Sequence, residues 1–139
     1  MFDADLQSLA ADALTIGEIA SAVIFVDGDA SGALRLVAAA GIAGPPLEGL
    51  VAAVQNPEHP VNRAFDDGGA TFDVLPMNPG GPALRSHLPV RGRLRAAARA
   101  LGVLAVAHER QTTDADRRSL QDLADRAAAA LESLAPTLE

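Results

Sequence analysis

The sequence predicts an α+β domain built on a central antiparallel sheet, and three observations carry that prediction. Residues 84–90 (LRSHLPV) and 101–107 (LGVLAVA) are apolar runs on either side of a basic connector. That is the pattern of a strand, a long hairpin loop and a second strand. Further strand-like runs at 21–26, 33–39 and 70–75 are bounded by Gly, Pro or Asp. Stripes of apolar residues at helical spacing occupy both ends of the chain. The 101–107 run is apolar almost without a break, as a central strand covered on both faces requires.

In chain order, residues 2–17 place Phe2, Leu6, Leu9, Ala13 and Ile16 on one helical stripe, with acids near its start and Gly17 at its end. SAVIFV at 21–26 is rich in β-branched residues, and Asp27, Gly28 and Asp29 supply turn chemistry. At 33–39, Leu34, Leu36 and Ala38 alternate with Arg35 and Val37, and the spacing predicts an antiparallel hairpin with the first strand. Pro45 and Pro46 suit the start of a short helix over 47–54. Pro60 likewise opens a helix over 61–67, which Gly68 and Gly69 stop. After the 70–75 strand, residues 76–82 hold three prolines and two adjacent glycines. That composition forms neither helix nor strand, so a mobile loop is expected. Thr112 or Thr113 caps the final helix, Asp114 and Asp116 sit in its first turn, and Leu120, Leu123, Ala124, Ala127, Leu131 and Leu134 form its stripe. The reading is one domain over 1–139: an N-terminal helix (1–17), a sheet-bearing core (21–109) and a C-terminal helix (112–134).

Composition narrows the function classes. The 139 residues carry a net charge of −7, which argues against a nucleic-acid partner, because phosphate binding needs a basic face. Zero cysteine removes disulfides, thiolate metal sites and cysteine nucleophiles together. The N-terminus lacks the basic and apolar regions of a secretory signal, and no run approaches the roughly 20 apolar residues of a membrane span. A cytoplasmic protein without a membrane partner is expected.

Four strings taken in order carry a resemblance: the strand SAVIFVD, the helix-to-strand segment HPVNRAFDDGGATFDV, the strand LRSHLPV, and LGVLAVAHE running through a Thr/Asp-rich turn into a helix. Together they resemble the GAF domain, a small-molecule sensor fold related to PAS domains. The resemblance implies an α/β/α sandwich. Both terminal helices lie on one face of the sheet, and short helices and loops cover a ligand pocket on the other. It further implies a regulatory role, a small-molecule ligand, a signalling partner protein and a homodimer formed through the terminal helices. Known variants of the fold are incomplete here. Methionine sulfoxide reduction and covalent bilin attachment need cysteine, and the Asn-Lys…Phe…Asp-Glu pattern of cyclic-nucleotide binding needs lysine; the chain has neither. No kinase, cyclase, phosphodiesterase or helix-turn-helix segment is attached, so a sensor-like module standing alone is expected, with its cofactor left unassigned.

The candidate ligand-binding residues are His59, Arg63, Asp73, Arg85, Ser86 and His87, each with a plainer reading beside it. His59 precedes a helix start and serves either a pocket mouth or a helix cap. Arg63 on the 61–67 helix holds an anion or pairs with Asp66 or Asp67 at the surface. Arg85 and His87 share one strand face and Ser86 the other, so the three cannot all enter one pocket. Asp73, on the preceding strand, is placed to pair across strands with Arg85 or His87. His59, His87 and His108 lie in different elements without metal-ligand spacing, and His87 cannot serve as base to the adjacent Ser86. No catalytic residue and no metal ligand is therefore assigned. Arg91, Arg93, Arg95 and Arg99 form a solvated loop or a docking patch for an acidic partner. Two functions remain open: a non-catalytic small-molecule sensor, and a dimerisation or protein-interaction scaffold without ligand.

Overall fold

The computed structural model describes residues 4–16, 18–27, 34–67, 69–75, 84–90 and 101–134. These form α1 (Ala4–Ala13), β1 (Ile19–Asp27), β2 (Leu34–Ala40), α2 (Gly44–Ala53), α3 (Pro60–Asp67), β3 (Thr71–Val74), β4 (Leu84–Val90), β5 (Gly102–His108) and α4 (Asp114–Leu134). All nine elements match the expected α+β order. The strands make one open antiparallel sheet in the order β2-β1-β5-β4-β3, with β5 at its centre. The 76–82 loop, the four arginines of the 91–100 connector and the Gly17, Gly28 and Gly68 turns lie outside the described residues.

Boundary differences have local causes. β5 runs one residue beyond 107, because His108 still pairs with Leu84 of β4 and Ile19 of β1. α2 begins at Gly44 rather than 47, since Pro45 and Pro46 occupy its first turn instead of preceding it. α1 ends at Ala13; tight turn bonds from the amides of Leu14, Thr15 and Ile16 to Ala11, Asp12 and Ala13 close its end. Pro89 sits within β4 but past the end of the β3 ladder, where β4 is in effect an edge and tolerates a missing donor.

Strand alternation divides the core in two. On one face Ala22, Ile24 and Val26 of β1, Leu88 and Val90 of β4, and Leu104 and Val106 of β5 meet α1 and α4. The α4 stripe supplies Leu120, Leu123, Ala124 and Ala127 to this face, so within the chain it covers the sheet. On the other face Val23, Phe25, Val103 and Ala105 meet Val54 and the α3 residues Val61, Ala64 and Phe65. α2 is different: it carries apolar residues yet buries none of them fully.

Polar devices fix the ends. Gln7 of α1 binds both the amide and the carbonyl of Ala39, occupying the backbone of edge strand β2 as a further strand would. Thr113 caps α4: its hydroxyl accepts from the Asp116 amide at 3.0 Å, while Asp116 accepts from the Thr113 amide at 3.0 Å. Among the described residues no helix is long and apolar enough to cross a membrane.

Two glycines test the packing in opposite directions. A Cβ on Gly102 would lie 2.1 Å from the Phe25 carbonyl oxygen, so β1 and β5 would have to separate. Gly102→Ala should lower stability by about 1–3 kcal/mol in chemical denaturation. A Cβ on Gly49, inside α2, meets nothing within 4 Å, so Gly49→Ala should raise stability by about 0.5–1 kcal/mol. A neutral Gly102→Ala would contradict the β1–β5 register.

Candidate functional site

The parity of β4 decides where its polar residues go. Leu88 and Val90 face the terminal helices, so Ser86 does too, and Arg85 and His87 face the side covered by α3. This settles the strand face that the sequence leaves open.

On the α3 side, His87 is only 3% exposed, and its Nδ1 is hydrogen-bonded to the hydroxyl of Thr71, its cross-strand partner, at 3.3 Å. Burial, with His59, Arg85 and His108 as cationic or potentially cationic neighbours, pushes its imidazole down to about 4. It is therefore a neutral base at ordinary pH. His59 caps α3: its Nδ1 accepts from the Val61 amide at 3.2 Å and its carbonyl accepts from the Arg63 amide at 3.0 Å. Accepting at Nδ1 requires the neutral form, and burial lowers this histidine as well. Asn62 anchors the helix by donating to the carbonyls of Val54 at 2.6 Å and Asn56 at 2.8 Å. Arg85 is half-buried; one of its N–H groups donates to the Leu84 carbonyl at 3.2 Å, and burial lowers its pKa against the opposing pull of Glu109. Arg63 lies on the exposed side of α3, away from the sheet. The structure thus brings His59, Arg85 and His87 to one face and leaves Arg63 outside.

Ser86 and Asp73 belong to a different assembly. Ser86 is fully buried; its hydroxyl accepts from the Asp73 amide at 3.1 Å and lies 2.8 Å from Nε2 of His108. His108, 2% exposed, holds the Arg110 carbonyl at 2.8 Å through Nδ1. A carbonyl only accepts, so Nδ1 carries a proton, and Ser86 is hydrogen-bonded to Nε2. The sequence reading weighed only the adjacent His87 as a base for Ser86 and ended the last strand at 107, one residue short of His108. The geometry of a serine–histidine pair is present, and Ser86 is sealed from solvent.

Asp73 does not pair with Arg85 or His87, as the sequence suggested, but with the start of α4. One carboxylate oxygen accepts from the Thr112 amide at 2.9 Å; the other accepts from the Thr112 hydroxyl at 3.0 Å and from Arg117 at 2.9 Å. The guanidinium of Arg117 also stacks 4.6 Å from the centre of the Phe72 ring. Burial alone would raise the Asp73 carboxyl. The Thr112 amide, Arg117, the Thr112 hydroxyl and the charge of His108 outweigh it and hold the group below its usual range. Asp73 adopts φ of 60°, a conformation Asp tolerates better than most residues, and the β3–β4 register shifts across it. That break in alternation turns Asp73 away from its cross-strand neighbours.

A shallow depression of about 490 Å³ lies between α1 and α4, lined in part by Asp12, Thr15, Arg118, Asp122 and Arg126. Asp12 and Asp122 approach Arg126 at 3.6 and 3.8 Å across it. Beneath α3, by contrast, the described apolar side chains of helix and sheet meet directly. Among the described residues no group of three or more His, Cys, Asp or Glu is placed to hold a metal ion.

No family model and no curated protein matches the sequence. Solved structures match its architecture along nearly its full length. The GAF domain of Acinetobacter phosphoenolpyruvate-protein phosphotransferase superposes with a TM-score of 0.72 at 13% identity, covering 97% of this chain and 87% of that one. The chain has the GAF fold. The second GAF domain of DevS from Mycobacterium smegmatis gives 0.67 at 24% identity, with 96% of each chain covered. The type II free methionine-R-sulfoxide reductase of Thermoplasma acidophilum gives 0.63 at 13% identity, covering 93% of this chain and 92% of that one.

The histidines on the α3 side of this GAF fold make its stability depend on pH. His87 is ordinary at 6.5 when unfolded and near 4 when folded, so the unfolded chain takes up the proton first as pH falls. Its contribution is complete above about 6.5 and is lost between there and about 4, by at most about 3 kcal/mol. His59 acts with the same sign. Urea denaturation should show this decline, and His87→Gln should flatten most of it. An unchanged slope in that variant would contradict the buried, neutral placement of His87.

Proposed function

We propose that this chain is a non-catalytic sensory or regulatory module that binds a small anion on the α3 side of its sheet and reports through α4. The observation that carries the reading is the buried His87 on an otherwise apolar face, with Thr71, His59 and Arg85 around it. Such sites are mainly apolar with a few convergent polar groups. A guanidinium and two imidazoles favour negative charge over positive. The GAF fold supports a sensory role by analogy. The Thermoplasma reductase, which has the same fold, is an enzyme. The present chain lacks cysteine, and its serine–histidine pair is sealed from solvent, which supports the non-catalytic reading.

The clasp at Asp73 supplies a route for the report. β3 borders the strand that carries His87, and Asp73 ties β3 to the first turn of α4. The outer surface of α1 and α4 offers both acidic and basic groups, Asp12 and Asp122 beside Arg118 and Arg126, so a second copy related by a two-fold axis would find complementary charge. On this reading the module works as a homodimer or docks a signalling protein there.

A second reading, a scaffold without ligand, is favoured by the direct apolar contact between α3 and the sheet. Thermal-shift measurements with small carboxylates, sulfate and their uncharged analogues separate the two. The sensor reading expects the anions alone to raise the melting temperature, and Arg85→Ala to blunt the response; no response in the wild type favours the scaffold. Light scattering at tens of micromolar should give a dimer mass that Arg118→Glu shifts toward monomer, and a monomeric native protein would remove the assembly part of the proposal.

A further inference from the structure

We infer that anion binding on the α3 side is coupled to proton uptake by His87, so that the module responds jointly to an oxyanion and to acidity. This rests on the anion-binding reading above and adds its regulation.

The inference starts from the hydrogen bonds of one ring. His87 is 97% buried by difference from its 3% exposure, and its Nδ1 is occupied by Thr71. Its other nitrogen, Nε2, has no partner among the described residues, yet no buried side-chain nitrogen or oxygen there is left without one. Nε2 therefore keeps a small contact with solvent. The groups that act on the ring are cationic or able to become so; on α3 Asp66 is exposed, and Glu109 acts on Arg85 rather than on the ring. Arg85 lies two residues away on β4, His59 lies at the start of α3, and His108 lies on β5 with its ring on the opposite face of the sheet. From β5 the residue opposite His87 is Ala105, and from β3 it is Thr71, neither of which ionises. The nearest β3 carboxylate, Asp73, is turned to α4 and Arg117. No described carboxylate acts on His87. Among the described residues none supplies a negative charge to an imidazolium here, and on this inference the bound anion does.

Thr71 makes the protonation chemically simple. In the neutral tautomer with its hydrogen on Nε2, the Thr71 hydroxyl donates to Nδ1. When a proton from solvent adds at Nδ1, the hydroxyl rotates and accepts instead, so the hydrogen bond is kept with its direction reversed. Nε2–H then donates to an oxygen of the bound anion in a charge-assisted bond. One proton enters with each anion and no other group changes. Without the anion, burial and the surrounding positive charge keep the ring neutral. Carboxylates and sulfate-like oxyanions share the chemistry required.

Isothermal titration calorimetry of the full chain with benzoate and, separately, sulfate tests this, because neither probe titrates appreciably between pH 5.5 and 7.5, roughly a span of two units around an ordinary histidine. Comparing two cationic buffers of different ionisation enthalpy gives the protons taken up per anion. Near pH 6 the wild type should take up close to one proton with whichever probe binds, and affinity should rise by up to about tenfold per unit of falling pH. His87→Gln should bind with no uptake and a flat pH profile. Thr71→Val, should the first variant fail to fold, should lower the uptake. Binding without uptake in the wild type, or undiminished uptake in either variant, overturns the inference while leaving the sensor reading intact. Absence of binding by both probes removes that reading and the inference with it.

Discussion

Everything in this molecule depends on β5 being paired on both edges and covered on both faces. Its backbone is held by β1 and β4, and its side chains are buried without exception from Gly102 to His108. A strand so enclosed cannot slip by one residue without turning a whole core face outward. Its register therefore fixes that of β4, and the register of β4 sorts Ser86 from Arg85 and His87. The close approach of Gly102 to β1 is one more expression of the same enclosure.

That sorting gives the two faces different chemistry. Toward the terminal helices, the buried polar groups among the described residues are satisfied by other parts of the chain: Ser86 by His108 and the Asp73 amide, His108 by the Arg110 carbonyl. Such a closed network specifies one packing of β3, β4 and the turn into α4. Toward α3, the polar groups are fewer and less completely used. A neutral imidazole is held there beside Arg85, with its Nε2 without a partner among the described residues. Asp73 connects the two regions, since it sits on the strand that flanks His87 while its carboxylate anchors Thr112 and Arg117. A shift of β3 would thus be felt at the start of α4, and that continuity underlies the proposed route from site to output helix.

The sequence made the fold legible because its signals there are local. The unbroken run at 101–107 named the central strand, alternation over 84–90 separated Ser86 from its neighbours, and Thr112 or Thr113 with Asp114 and Asp116 announced α4, the cap falling to Thr113. The site was legible only in part. Arg85 and His87 were recognisable as a pair on one face, but which face required the register with β5. Asp73 and Arg117 are 44 residues apart, and nothing local marks them as partners. His108 was missed because its strand was ended one residue early. Its parity with Leu104 and Val106, at the end of the same apolar run, was the available signal.

The central claim is that the sheet keeps two buried histidines apart in function, His87 as the responsive one and His108 as a fixed structural partner of Ser86. Long-range proton–nitrogen NMR of the imidazole rings during an anion titration tests it directly. The account predicts that His87 shifts as sulfate or benzoate is added, while His108 keeps its proton on Nδ1 throughout. Movement of His108 with a silent His87 would contradict it.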